Sequence, residues 1–123
     1  MMTDMTMDNF LAVLSSSEPV PGGGGACGYV AAVGMSLGNM VLALTTGKKK
    51  YAEYQEEIEE LIVKATDLTK RLAECMDKDA ESFKPLAAAY GLPKDTEEQI
   101  KEREAIMAKA LVTASEAPLS MME

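Results

Sequence analysis

Hydrophobic and polar positions divide the chain into four blocks of different rhythm. In the first, Phe10, Leu11 and Leu14 fall at helical spacing and Asp8 sits where a first helical turn accommodates negative charge, before SSSEPVPGGGG breaks the pattern. A short helix and a loop are predicted there. From Ala26 to Thr46 the residues are Ala, Val, Leu, Met and small types almost all round, with no charge until Lys48. A helix over this second block is about 30 Å long. From Tyr51 a three-four rhythm takes over, with Tyr51, Tyr54, Ile58, Leu61, Ile62, Ala65, Leu68, Leu72, Cys75, Met76 and Phe83 set among Glu and Lys. It predicts a long amphipathic helix reaching about Phe83, which Pro85 bends or ends and Gly91-Leu92-Pro93 stops. Thr96, followed by Glu97, Glu98 and Gln99, reads as an N-cap with an acidic first turn; the last helix then carries Ile100, Met107, Ala110, Leu111 and Ala114 toward Pro118. No strand-like alternation is present. The predicted fold is all-α, an antiparallel bundle built on one long buried helix and one long amphipathic helix.

The uncharged block is long enough to cross a bilayer, and the lysines that follow it imitate a positive-inside flank. Against that reading, Gly28, Gly34, Ser36, Gly38, Asn39, Thr45 and Thr46 dilute its apolar content, and the segments after it are strongly amphipathic. A helix buried on most faces is the better reading, with Ala31, Gly34 and Gly38 letting neighbouring helices come close. So small a chain does not easily cover such a helix alone, which predicts a dimer or larger assembly and no membrane partner.

Composition narrows the function. At 123 residues there is room for a single domain over residues 1–123. Twelve Lys and Arg against 20 Asp and Glu give a net charge of -8, which argues against nucleic acid as a partner. Histidine is absent, so the usual neutral-pH base and the commonest metal ligand are missing, and proton transfer falls to carboxylates or lysines. Cys27 and Cys75 stand apart with no metal-type spacing, and the N-terminus has no basic leader; reduced thiols in a cytoplasm are expected, with no metal and no cofactor.

Three groups are candidates for chemistry. The glycines from Gly22 to Gly25 open a helix, where free backbone N–H groups receive anions, or they form only a flexible turn. Lys48, Lys49 and Lys50 after Gly47 are either a solvated helix end or a site for ligand carboxylates. In DKDAESF, Asp77 and Glu81 share one helix face while Asp79 points toward the side bearing Cys75, Met76 and Phe83. A carboxyl beside that apolar stripe gains proton affinity and becomes an acid/base candidate; the alternative is a rim carboxylate paired with a lysine.

PVPGGGGACGYVAAVGMSLGNMVLALTTGKKKY resembles the glycine-rich loop, small-residue helix and Gly-Lys-Lys-Tyr-like turn of the formiminotransferase-cyclodeaminase C-terminal family. DKDAESF resembles that family's Asp-Ala-Glu-x-Phe segment, and YGLPKDTEEQIKERE its Leu-Pro-Lys-x-Thr-x-Glu loop. The three motifs hold register from about Met5 to Met122. The resemblance implies an all-α, homodimeric, cytoplasmic enzyme acting on a one-carbon tetrahydrofolate. The expected reaction is formimidoyltetrahydrofolate cyclodeamination, with methenyltetrahydrofolate cyclohydrolysis or a catalytically inactive, folate-binding oligomer as alternatives. By position it assigns catalysis to Asp79 and folate binding to Gly22, Gly23, Gly24, Gly47, Lys48, Lys49 and Lys50. Two departures stand out. The family usually places Ser after its three glycines, where this chain has Gly25, so a hydroxyl able to cap the helix or touch ligand is missing. Family domains also continue beyond APLSMME, so a C-terminally shortened domain is expected.

Overall fold

The computed structural model describes all 123 residues. It contains helices α1 (Met7–Leu14), α2 (Gly23–Thr45), α3 (Gln55–Tyr90) and α4 (Glu97–Met122), with short 3₁₀ turns at Met2–Asp4 and Lys49–Tyr54. There is no strand. Helix α1 starts where the Thr6 hydroxyl accepts the Asn9 N–H, and α4 where Thr96 and Gln99 form a reciprocal capping box. Helix α2 begins at Gly23 rather than Ala26, so the glycines form its first turn. The rhythm expected to begin a helix at Tyr51 gives a 3₁₀ turn first, and α3 follows from Gln55.

Neither internal proline ends its helix. Helix α3 runs through Pro85 to Tyr90, and α4 runs through Pro118 to Met122. A proline inside a helix removes one backbone bond. Packing offsets that loss here: Leu86 and Ala89 after Pro85, and Ala117 before Pro118, are buried between the two helices.

Helices α2 and α3 pack antiparallel. Gly24 lies against Asp79, Gly28 against the Leu72 carbonyl, and the Asn39 amide donates to the Thr66 hydroxyl at 3.2 Å. Helix α4 returns along the C-terminal half of α3, burying Ala110 and Ala117, and its Met121 reaches Gly28. The chain is thus two helical hairpins that share α3 and overlap near its middle. Helix α1 docks through buried Phe10, whose ring lies 5.5 Å from that of Tyr29. The N-terminal turn is held to α3 by Asp77, which accepts the Met2 N–H and the Thr3 hydroxyl.

The expected all-round burial of α2 is not supplied by one chain. Only Gly25, Gly28 and Ala32 are buried on it, all on one side, while Val30, Leu37, Val41 and Leu44 are exposed. The helix is long and apolar enough to cross a membrane by length and composition. Its glycine seam nevertheless faces α3, where a hydrogen bond between polar side chains fixes the register.

The closest backbone approach makes the packing testable. A Cβ at Gly28 would stand 3.2 Å from Met121 Cε and 3.3 Å from the Leu72 carbonyl oxygen, and the carbonyl cannot yield as a side-chain tip can. Gly28→Ala should lower unfolding free energy by about 1–3 kcal/mol, the usual cost of overpacking. Urea unfolding followed by helical circular dichroism measures it; unchanged stability would contradict this α2–α3 approach.

Candidate functional site

Where the two hairpins overlap, the first turn of α2 lies against α3, which continues beyond it. The space left there is a cleft of about 370 Å³ lined by Pro19, Gly22, Gly23, Gly24, Asp79, Phe83, Leu111, Ala114, Ser115 and Pro118. Its walls are mostly apolar or backbone, and Asp79 is the one ionisable side chain among them.

Asp79 is where α3 turns its buried stripe toward α2. Cys75, Met76 and Ala80 beside it are buried, and so is Asp79 itself. Helical periodicity puts it on this side, one turn beyond Met76, whereas Asp77 turns outward to the N-terminal segment. A rim carboxylate paired with lysine is not what the fold contains: the ion pairs are Lys84 with Glu81 and the N-terminus with Asp4, both on the surface.

The Asp79 carboxylate lies directly on the glycine turn. A Cβ at Gly24 would meet its Oδ1, Cγ and Oδ2 within 2.7 Å, so no other residue fits at that position without displacing the acid. Gly22 is the N-cap and offers no side-chain cap, leaving the first N–H groups of α2 free at this end. Burial raises the proton affinity of Asp79 above the ordinary carboxylate range, and the Gly25 backbone N–H offsets part of that rise. The result is an acid with weakened ionisation, no cationic partner and an open face on the cleft.

Gly25 is the position where the expected family hydroxyl is missing. It lies in the third position of the helix rather than at the cap, and a Cβ there would stand 3.9 Å from Asp79 Oδ2 and 3.7 Å from Pro21 Cβ, ordinary contacts that leave room for a side chain. A hydroxyl at residue 25 would therefore reach Asp79, a role different from capping.

Among the residues singled out from the sequence, the fold brings Gly22, Gly23, Gly24 and Asp79 into one cleft. It does not bring Gly47, Lys48, Lys49 and Lys50 there. These follow the opposite end of α2, which at 1.5 Å per residue is about 30 Å from Gly24. Gly47 serves the turn itself, with a left-handed backbone at φ 77° and its N–H donated to Gln55 Oε1 at 3.0 Å. The three lysines are exposed and Lys50 lies 5.5 Å over the Tyr51 ring. Phe83, Leu111, Ala114, Ser115 and Pro118 join the site by folding; Phe83 carried a signal in the apolar rhythm, while the residues of α4 carried only that of a helix face.

A larger cavity of about 510 Å³ lies between the N-terminal segment and the α2–α3 pair, among Met2, Met5, Phe10, Tyr29 and Met76. It is lined by no carboxyl or amine.

Residues 6–123 match the formiminotransferase-cyclodeaminase family. The chain is 42% identical to a methenyltetrahydrofolate cyclohydrolase of Methylorubrum extorquens, over 94% of this chain and 55% of that protein. It is 33% identical to a formimidoyltransferase-cyclodeaminase of Dictyostelium discoideum, over 99% of this chain and 22% of that protein. The fold matches the crystal structure of formiminotetrahydrofolate cyclodeaminase from Thermotoga maritima with a TM-score of 0.79 and 25% identity, over 98% of this chain and 56% of that one. The chain thus spans about half the length of the cyclohydrolase and of the Thermotoga protein. With the match running almost end to end through the glycine turn, α3 and α4, this chain belongs to the formiminotransferase-cyclodeaminase family.

Proposed function

We propose that the chain acts on the one-carbon bridge of tetrahydrofolate as a methenyltetrahydrofolate cyclohydrolase in the cytoplasm. The observation that carries the reading is Asp79, an unpaired, partly dehydrated carboxyl on the free N–H groups of a helix. The 42% identity to a protein named for this reaction supports hydrolysis in particular. In hydrolysis, ionised Asp79 takes a proton from water as its oxygen bonds to the methenyl carbon, and the field of the carboxylate stabilises the cationic bridge as the reaction begins. That proton then passes to the ring nitrogen whose bond to the carbon breaks, while the remaining hydroxyl proton is released to solvent as the C=O bond forms, leaving a formyl group on the other nitrogen. Phe83, Leu111 and Pro118 supply apolar walls for a heteroaromatic ring.

A second reading, formimidoyltetrahydrofolate cyclodeamination, is favoured by the match to the Thermotoga cyclodeaminase fold. There N10 attacks the formimino carbon and Asp79, protonated, donates to the departing ammonia. Both readings need the same acid in the same place.

Asp79→Asn should reduce turnover about 10²- to 10⁴-fold, the span of a lost general acid or base. Its effect on stability should have the opposite sign. Because folding raises the Asp79 pKa, the stability tied to its proton is complete below the ordinary value of 3.8 and is lost as pH rises through the folded value. The amide keeps the neutral form, so Asp79→Asn should raise Tm at pH 7, with the gain vanishing in acid. A lower Tm at pH 7 together with retained activity would reject both the desolvation and the role.

For hydrolysis, kcat/KM should climb with pH through an apparent pKa above 3.8, followed by loss of methenyl absorbance. Gly25→Ser should place a hydroxyl donor on the ionised carboxylate and move that limb to lower pH. A limb that stays in place in the serine variant would remove Asp79 as its source.

A further inference from the structure

Nothing in the chemistry proposed for Asp79 uses the cavity between the N-terminal segment and the α2–α3 pair. No residue of the Asp79 cleft lines it, and its walls hold Met2, Met5, Met7, Phe10, Tyr29 and Met76. Unbranched thioethers adapt to the outline of whatever they enclose, and the Phe10 and Tyr29 rings, 5.5 Å apart, add an aromatic surface. The N-terminal side of the enclosure is anchored, because Asp77 accepts the Met2 N–H and the Thr3 hydroxyl. At about 510 Å³ the space has the size of a small-molecule pocket.

The polar atoms on its walls specify what such a molecule must carry. Thr3, Ser36 and Thr69 are the aliphatic hydroxyls there, and each has already given its proton away: Thr3 to Asp77, Ser36 to the Ala32 carbonyl at 2.8 Å and Thr69 to the Ala65 carbonyl at 2.8 Å. What remains on each is lone pairs, so the wall accepts hydrogen bonds at these points. Ser36 and Thr69 also line a neighbouring groove of about 420 Å³ that runs on to Asn39, Thr66 and Lys70, which puts them where the apolar space meets a polar one. Thr66 repeats the pattern, with its hydroxyl donated to the Ile62 carbonyl, and the buried Asn39 Oδ1 has no donor. Charge of either sign is disfavoured on the head of the ligand. The cavity has no carboxyl or amine to balance an ion, a cation would meet the exposed Lys70 along the groove, and a carboxylate would bring lone pairs to lone pairs.

We propose that this cavity binds a small uncharged phenol bearing an alkyl chain. The ring and chain lie among Met2, Met5, Phe10 and Met76, and the hydroxyl donates to the oxygen of Ser36 or Thr69. The site does not depend on the folate reading, since it shares no wall with the Asp79 cleft.

A matched series of probes tests it. Para-butylphenol, its methyl ether, and the benzoate and benzylamine with the same chain share one apolar body and differ in the head alone. In protein carrying isotope-labelled methionine methyl groups, para-butylphenol should shift the NMR signals of Met2, Met5, Met7 and Met76 and leave those of Met107 and Met122, which line neither space, in place. The methyl ether keeps the oxygen and loses its proton, so it should bind roughly tenfold more weakly, the worth of one hydrogen bond, and both ions should also bind more weakly than the phenol. In the double variant Ser36→Ala with Thr69→Val, the phenol should fall to the affinity of the ether while the ether is unchanged. An ether as tight as the phenol, an ion tighter than the phenol, or shifts spread over all the methionines overturns the site. A phenol preference that survives in the double variant overturns the place given to its hydroxyl. None of these readouts involves turnover, so they decide the cavity whether or not the protein acts on a folate.

Discussion

The contact on which this structure depends is the one between the Asp79 carboxylate and the backbone of Gly24. The carboxylate occupies the volume a Cβ would fill, so helix α2 approaches α3 more closely at its first turn than any side chain would permit. Several properties follow from that single approach. The acid is covered and loses hydration; the free N–H groups of the helix end face it; and α2 stops where α3 still has several turns to run, which opens the cleft. Desolvation and the Gly25 amide then act in opposite directions on one proton, with desolvation the stronger.

That approach also organises the rest of the chain. Helix α3 belongs to both hairpins, and its stretch from Leu72 to Phe83 meets both neighbours: Leu72 meets Gly28, Asp79 meets Gly24, and Phe83 faces the cleft with α4. A catalytic candidate on a continuous helix, rather than on a loop, keeps its position without added hydrogen bonds. Pro85 is tolerated just beyond it because the buried Leu86 and Ala89 hold the helix against α4, where the N-terminal capping box fixes the start.

Helix positions were readable from the sequence wherever a periodic stripe or a cap specified them. The Tyr51–Phe83 rhythm foretold α3, and Thr96 with Gln99 foretold the start of α4. What local pattern missed was set by tertiary contact. Pro85 reads as a bend or an end and Pro118 as the limit of its helix because the lost backbone bond is a local penalty, whereas the burial that offsets it comes from the opposing helix. The glycines look like a loop, since their use is to admit a carboxylate more than fifty residues away. Asp79 was legible as an acid on an apolar stripe; its isolation from lysine was not, because Lys78 and Lys84 lie near in sequence but Lys84 pairs with Glu81 on the surface. The cleft walls on α4 had no signal beyond helical spacing, and the lysine run was legible as charge but not as distance.

An acid whose proton affinity is raised in this way suits both reactions of the family because each uses one of its two forms. On the proposed reading, ionised Asp79 would draw a proton from water beside a cationic bridge, and protonated Asp79 would supply one to a departing amine. Moving the pKa upward toward the working pH lessens the free energy needed to reach the minority form. The Gly25 N–H in the glycine turn opposes that rise. A fully dry carboxyl would stay protonated and lose its use as a base, while one held by several N–H groups would ionise readily and lose its use as an acid. At Gly25 no side-chain hydroxyl is present to stabilise the charged form, which leaves the backbone N–H as the group opposing desolvation. The difference between one reaction and the other then rests on what the remaining cleft walls admit beside the acid, water for hydrolysis or the attacking nitrogen for ring closure.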